Sequence, residues 1–253
     1  MRRATPFRAA IVAAMLAVAS ASIPAQQTIA QAAQSWPQPP AAAAPQPAEH
    51  ARPESEPVFS ARFENTQIAP SEWTLTLYPD GTGHFHADRA NSTAPKPATI
   101  APITVDRAIK LSPKFTAEIF RTVRQNDFLN IECASRMKVA FQGWKTLSYH
   151  GPDGAGSCRF NYSKNKQIEA LAESLVAVAS TLMEGAQLEL LREHEPLGLD
   201  REMAFMVDAA NDGRLRQMYA IRGILQRLET DPAVMERVRK QARKLLAQAA
   251  REH

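Results

Sequence analysis

Two segments of the sequence carry the same turn signal between runs of alternating apolar residues. The first extends from Trp73 to Ala87 around Pro79-Asp80-Gly81, and the second from Trp144 to Tyr162 around Gly151-Pro152-Asp153-Gly154. Proline presets the backbone of a tight turn, and glycine accepts a positive φ. Each segment is therefore predicted to be a β-hairpin, with the second strand of the second hairpin starting at Ser157 after a six-residue loop.

Helical periodicity fills the spaces between and after these hairpins. A strand is predicted near Ile103–Leu111, followed by a helix with Ser112 as its N-cap and Pro113 in its first turn. After the second hairpin, Ser163 is predicted to cap a long helix whose apolar residues recur every three or four positions. The pattern predicts an α+β fold over residues 58–192, in which an antiparallel, hairpin-rich sheet packs on one or two helices.

The remaining residues, 198–253, are predicted to form a small all-helical C-terminal subdomain. Its three helices are placed at Arg201–Ala210, Leu215–Glu229 and Pro232–Ala250, the last capped by Asp231. The apolar positions of the last two helices have helical spacing, so each helix has one face to bury.

The N-terminal 25 residues have the features of a secretory signal. A basic start with Arg2, Arg3 and Arg8 precedes an apolar stretch, and small residues follow at Ala19-Ser20-Ala21 and up to Ala25. The apolar stretch is shorter than the ~20 residues that span a bilayer, so we expect cleavage and export to the periplasm or outside the cell. After cleavage we expect no transmembrane segment.

Residues 26–57 are rich in proline, alanine and glutamine, and are predicted to be a disordered linker. Nine of the 18 prolines lie in the first 57 residues. Such a segment has too little bulky apolar surface to offset the entropy of ordering it.

Charge and cysteine content bear on the partner and the compartment. The formal charge is +4, and removal of the three signal arginines leaves +1, which does not favour nucleic acid as a partner. In an oxidising compartment Cys133 and Cys158 are predicted to form a disulfide that closes a 26-residue loop. Two separately buried thiols or an intermolecular bridge are the alternatives.

His84 and His86 have a spacing that can serve a metal. Two residues apart on a strand, both imidazoles point to one side of the sheet. A third ligand is needed, and Asp88, Glu64 and His150 are the candidates. The alternative is the solvent-facing side of a strand whose Phe85 lies in the core.

A second candidate set, for nucleophilic catalysis, surrounds the second turn. With a six-residue loop, His150 and Ser157 are expected to face each other at its base, close to Asp153. Asp153 is far more naturally explained as a turn former. No phosphate-binding or dinucleotide-binding motif is present, and no cofactor is predicted.

The last predicted helix is basic and is a candidate for binding an acidic partner or anionic lipid. A solvated outer face explains the same pattern. Its candidate binding residues are Arg237, Arg239, Lys240, Arg243 and Lys244.

These observations favour an exported, non-enzymatic binding protein whose partner is an unknown protein or a component of the cell envelope. One alternative is a secreted hydrolase or metal-dependent enzyme that uses the hairpin histidines. The other is a binder of membrane surfaces or acidic polymers that acts through the basic C-terminal helix.

Overall fold

The computed structural model describes residues 56–95 and 100–252. The predicted signal segment and all but the last two residues of the predicted linker lie outside these ranges. Within them the chain forms a six-stranded antiparallel sheet and five α-helices, most of which follow the sheet in sequence. The predicted α+β class is confirmed.

The sheet is built from six strands, and every neighbouring pair is antiparallel. Their order across the sheet is β4-β3-β2-β1-β5-β6, so β1 lies between the two hairpins and pairs with a strand of each. The strands are β1 (Val58–Glu64), β2 (Glu72–Leu77), β3 (Thr82–Asp88), β4 (Thr104–Lys110), β5 (Trp144–Gly151) and β6 (Gly154–Phe160).

The first hairpin, β2–β3, has the predicted turn. Gly81 has a φ of +81°, and Asp80 Oδ1 accepts a hydrogen bond from the backbone N–H of Thr82 at 2.9 Å. The second hairpin, β5–β6, is tighter than predicted. Only Pro152 and Asp153 separate its strands, and pairing begins at Gly151↔Gly154. The predicted six-residue loop is wrong because the four residues around Pro-Asp continue the ladder on both sides.

Five helices, together with short 3-10 turns, follow or interrupt the sheet. They are α1 (Pro113–Gln125), α2 (Lys166–His194), α3 (Leu199–Asn211), α4 (Arg222–Thr230) and α5 (Glu236–Glu252). The predicted cap of α1 is confirmed, because Ser112 Oγ accepts the backbone N–H of Phe115. The predicted cap of α2 is wrong. Asn165 caps this helix with its side-chain oxygen, and the amide of Ser163 instead donates to Glu169 Oε2 at 2.7 Å.

Two of the C-terminal helices begin later than the sequence predicts. Residues 215–217 are not helical, because the backbone N–H of Leu215 bonds to Ala209 O and the next two N–H groups bond to side chains of other helices: Thr181 Oγ1 accepts from Arg216 N, and Glu252 Oε1 accepts from Gln217 N. The last helix starts at Glu236 rather than Pro232. Asp231, the predicted cap, accepts the N–H of Ala233 within the preceding turn.

The hydrophobic core is one continuous cluster that includes one face of the sheet and the buried sides of the helices. Phe120 of α1 packs edge-on against Tyr149 of β5, with ring centroids 6.2 Å apart. Arg107 of β4 reaches Glu189 of α2 at 3.2 Å. The helices therefore cover one face of the sheet. The core spans both predicted parts of the folded region, whose division at residues 192–198 stays a prediction.

Candidate binding surface

The second face of the sheet, here called the open face, carries exposed and half-buried polar side chains. Side chains alternate along each strand, so buried residues such as Phe59 and Leu75 point toward the helices while their neighbours point away. Serine and threonine fill the middle of this face. The members used below are Ser60, Arg62, Thr74, Thr76, His84, His86, Asp106, Trp144, Thr146, Ser148, His150, Ser157 and Arg159.

At one end of the open face a single carboxylate contacts two imidazoles. Asp106 Oδ1 lies 2.9 Å from His84 Nε2, and Asp106 Oδ2 lies 3.0 Å from His86 Nδ1. Asp106 is on β4 directly opposite His86. The hydrogen bond from His86, followed by the interactions with His84, lowers the pKa of the Asp106 carboxyl below its ordinary value.

The structure thus brings His84 and His86 together with an acid that sequence reasoning did not find. The candidates named from the sequence, Asp88, Glu64 and His150, do not join this cluster. The register between β3 and β4 places Asp106 beside the two histidines. No short turn motif joins these strands, so the sequence did not predict that register. Across residues 56–95 and 100–252, no group of three or more His, Cys, Asp or Glu side chains is arranged to hold a metal ion.

The three residues proposed for nucleophilic catalysis are separated. Because the second turn is short, His150 lies opposite Ala155, and Ser157 lies opposite Ser148. The Ser148 and Ser157 hydroxyls are 2.7 Å apart and hydrogen-bond to each other. The expected facing of His150 and Ser157 is therefore wrong.

Asp153 is held by residues of the helix-covered side. Its Oδ1 accepts the phenolic O–H of Tyr149, and its Oδ2 is 2.7 Å from Nε of Arg124 on α1. These contacts, Tyr149 first, lower the pKa of Asp153. Burial and the bond to Asp153 raise the pKa of Tyr149 to about 12. The aspartate fastens the second hairpin to α1 and is turned away from Ser157.

At the other edge of the open face, β5 begins with the exposed side chain of Trp144, and three exposed apolar residues precede it in the chain. Met137, Val139, Phe141 and Trp144, here called the apolar cluster, are 54%, 39%, 48% and 41% exposed. The rings of Phe141 and Trp144 meet edge to face at 5.9 Å, and the guanidinium of Arg159 lies 4.9 Å from the Trp144 ring centre. Of the ten large apolar side chains exposed among the described residues, these four fall within one eight-residue stretch.

The segment that carries the apolar cluster is tied to β6. A disulfide joins Cys133 to Cys158, confirming the predicted pair. Further along, the side chain of Asn161 accepts from Gln142 N at 2.7 Å and donates to Ala140 O at 3.0 Å. Residues 136–142 between these anchors are all exposed. The sequence analysis predicted neither the exposure of these four side chains nor the bonds that anchor their segment. The alternation of Met137, Val139 and Phe141 was nevertheless visible in the sequence.

The basic residues of α5 are largely paired. Arg237 binds both carboxylate oxygens of Asp200, and Glu236 contacts Arg239 at 2.6 Å and Arg243 at 2.7 Å. Lys240 and Lys244 are exposed on the same helix. Three of the five predicted binding residues therefore have acidic neighbours that reduce the attraction for an external anion.

Two cavities lie away from the open face. A groove of about 660 Å³ between the end of α2 and α4 is lined by apolar residues such as Leu197, Ile224 and Met235. A smaller pocket of about 250 Å³ contains Glu184 of α2 and Glu202 of α3. Burial, and then the hydrogen bond with Glu202, raise the pKa of Glu184 to about 8.

Comparison of the sequence with protein-family models and with curated proteins gave no match. Across the described residues, no helix combines the length and the apolar character needed to cross a membrane. The indications of function are therefore the exposed side chains of the open face and the apolar cluster.

Proposed function

We propose that the protein is exported and acts, without enzyme chemistry, by binding a component of the cell envelope or an extracellular protein through the open face and its apolar cluster. The observation that carries this proposal is the exposure of four large apolar side chains, Met137, Val139, Phe141 and Trp144, within one eight-residue stretch that ends on the open face at Trp144. Contiguous exposed apolar surface on a folded protein is typical of an interaction site.

Two features support export. The N-terminal sequence has the order of a secretory signal. In addition, the Cys133–Cys158 disulfide fits an oxidising compartment, since disulfides are rare in the cytosol of most organisms.

Binding is favoured over catalysis because the polar groups are already engaged or lie in open solvent. Asp153 is occupied by Tyr149 and Arg124. Asp106 and its two histidines lie on an exposed sheet surface, with about half of each side chain accessible. An enzyme site normally excludes water around its reacting groups, and this surface does not.

The test measures cosedimentation of the purified mature protein with isolated cell envelopes of the source organism. The wild type is compared with Phe141→Ser and Trp144→Ser, and with Phe205→Ser as a matched control. Phe205 is 43% exposed, as Phe141 is 48% exposed, and it also contacts an arginine, but it lies on α3.

We expect the wild type and Phe205→Ser to sediment equally, and each cluster variant to bind roughly tenfold more weakly, because truncating an anchor residue of an interface commonly costs more than 1 kcal/mol. Fractionation of cells should recover the processed chain outside the cytosol. Absence of envelope binding, or equal loss in all three variants, would refute the proposed surface.

A further inference from the structure

We propose that the apolar cluster is a membrane-docking site that inserts into the interfacial region of an anionic lipid bilayer. This inference rests on the proposed function and names the class of envelope component that the surface binds. Four kinds of observation carry it: the composition of the cluster, the exposure and anchoring of its segment, the charges around it and the contacts of the Trp144 ring.

The composition fits the boundary between headgroups and acyl chains. Trp and other aromatic side chains are favoured at this boundary, and aliphatic side chains enter the acyl region beneath it. The cluster combines both types, with Phe141 and Trp144 beside Met137 and Val139. The described part of the chain has no helix able to span a bilayer, so docking would be peripheral.

The segment is also exposed and anchored. All seven residues from 136 to 142 are exposed, whereas Gly143 and Lys145 after them are buried. Anchors lie on both sides of the exposed stretch, the Cys133–Cys158 disulfide before it and the Asn161 side chain at its end. Because this support fixes the segment in the free protein, little ordering entropy is lost on insertion.

The surrounding charges complement anionic headgroups. Arg136 and Lys138 flank Met137 in sequence, and Arg159 lies over Trp144. The two acidic neighbours, Glu132 and Glu64, contact Arg136 and Arg159 at 3.3 Å and 3.1 Å. Counting these five groups, the cluster has an excess of one positive charge, and Lys138 supplies it.

The chemistry of the cluster favours lipid over a glycan strand. The guanidinium of Arg159 lies over one face of the Trp144 ring, 4.9 Å from its centre, and Phe141 contacts the ring edge-on, so less of the ring is open for stacking on a sugar. Met137, Val139 and Phe141 offer no side-chain hydrogen bond to a sugar hydroxyl, whereas burial in the acyl region stabilises such side chains.

The experiment is flotation of the full mature protein with vesicles of phosphatidylcholine alone or of phosphatidylcholine and phosphatidylglycerol in equal parts. The apolar test variant is Val139→Ser with Phe141→Ser, and its matched control is Phe205→Ser. The charge test variant is Arg136→Glu with Lys138→Glu. Its matched control is Lys240→Glu with Lys244→Glu, which reverses two exposed cations on α5. Circular dichroism and thermal unfolding check that every variant is folded.

We expect the wild type to float with anionic vesicles and to bind neutral ones about tenfold more weakly, because both apolar burial and headgroup attraction contribute. Both test variants should lose at least tenfold in affinity for anionic vesicles, and both controls should float like the wild type. In a Trp36→Phe background, which removes the third tryptophan of the mature chain, Trp144→Phe should still float but lose the blue shift of tryptophan emission on binding, since Trp73 is buried in the core.

Each other outcome overturns part of the argument. If the two lysine changes on α5 abolish flotation and the cluster changes do not, lipid binding belongs to the C-terminal helix instead. Envelope binding that depends on Phe141 without any flotation would refute the lipid assignment but keep the proposed function, with a glycan or protein as the partner. Failure to bind both vesicles and envelopes would refute both proposals.

Discussion

The ammonium nitrogen of Lys145 lies 3.0 Å from Oε1 of Glu169, and both side chains are about 90% buried. Lys145 also donates to the carbonyl of Asn161 at 3.1 Å, and Glu169 accepts the amide of Ser163. The pair joins β5 to α2 directly beneath the strand position of Trp144, whose side chain points to the opposite face. The Trp144 end of the apolar cluster is thus supported on the opposite face of the sheet by a buried, hydrogen-bonded ion pair.

Breaking this pair should strongly destabilise the fold. We expect Lys145→Met to lower the free energy of unfolding by roughly 3–5 kcal/mol, because it leaves the Glu169 charge buried without its partner. Urea denaturation followed by circular dichroism measures the loss. Lys110→Met, at an exposed position on β4, is the control and should change stability by less than about 0.5 kcal/mol. Similar stability of both variants would contradict the role given to the pair.

Removal of the disulfide should also destabilise the protein. For Cys133→Ser with Cys158→Ser we expect a loss of about 3.5 kcal/mol, the value that loop-closure entropy gives for a 26-residue loop. Comparison of the oxidised wild type with the variant in urea checks this. The unreduced, denatured wild type should react with no more than traces of a thiol reagent, and titration of two thiols per chain would disprove the bond.

The buried carboxyl of Glu184 should make stability depend on pH. Its pKa is raised from 4.5 to about 8 by burial and by Glu202, while Arg89 acts in the opposite direction. In this window the unfolded chain binds fewer protons than the folded one, so stability falls as the pH rises from about 4.5 to about 8. Below pH 4.5 the carboxyl is protonated in both the folded and the unfolded chain, so it adds no pH dependence to stability.

Glu184→Gln should remove this dependence, since the amide can donate to Glu202 without a titrating proton. We expect the melting temperature of Glu184→Gln to match that of the wild type at the acid end and to exceed it by roughly 3 °C above the window. Glu173→Gln, at an exposed position on the same helix, should leave the wild-type pH profile unchanged. A wild-type profile that is flat across the window would refute the assignment.

The contact of Asp106 with two histidines can be read from its titration. Because His86 and His84 lower the pKa of this carboxyl, we expect His84→Gln with His86→Gln to move it upward toward 3.8. Carbon-13 NMR of the side-chain carboxyl measures the shift. Replacement of His150, which is outside the cluster, is the control, and an unchanged Asp106 titration in the double variant would argue against the contacts.

The fold was readable from sequence wherever local chemistry determines structure. The Pro79-Asp80-Gly81 turn and the Ser112 cap act through residues next to one another, and both are confirmed. The start of α2 was misplaced because the backbone N–H of Ser163 donates to the Glu169 carboxylate, six residues away. The same reason applies to Arg216 and Gln217, whose backbone N–H groups bond to Thr181 and Glu252 instead of forming the predicted helix.

The surface was harder to predict than the core. His84 and His86 were identified from their spacing, but Asp106 comes from a strand whose register depends on the whole sheet. His150 and Ser157 were expected to face each other. The turn is shorter than predicted, so His150 lies opposite Ala155 and Ser157 lies opposite Ser148. The apolar cluster depends on a segment without regular structure, whose position is set by Cys158 and Asn161 on the neighbouring strand and its end.

The disulfide anchors the chain just before Met137. The support of the apolar cluster therefore depends on the compartment in which this bond forms. In a reducing cytosol the segment of residues 136–142 would lack this covalent anchor. If the chain is exported as we propose, the proposed docking segment therefore acquires its covalent anchor only after it has left the cytosol.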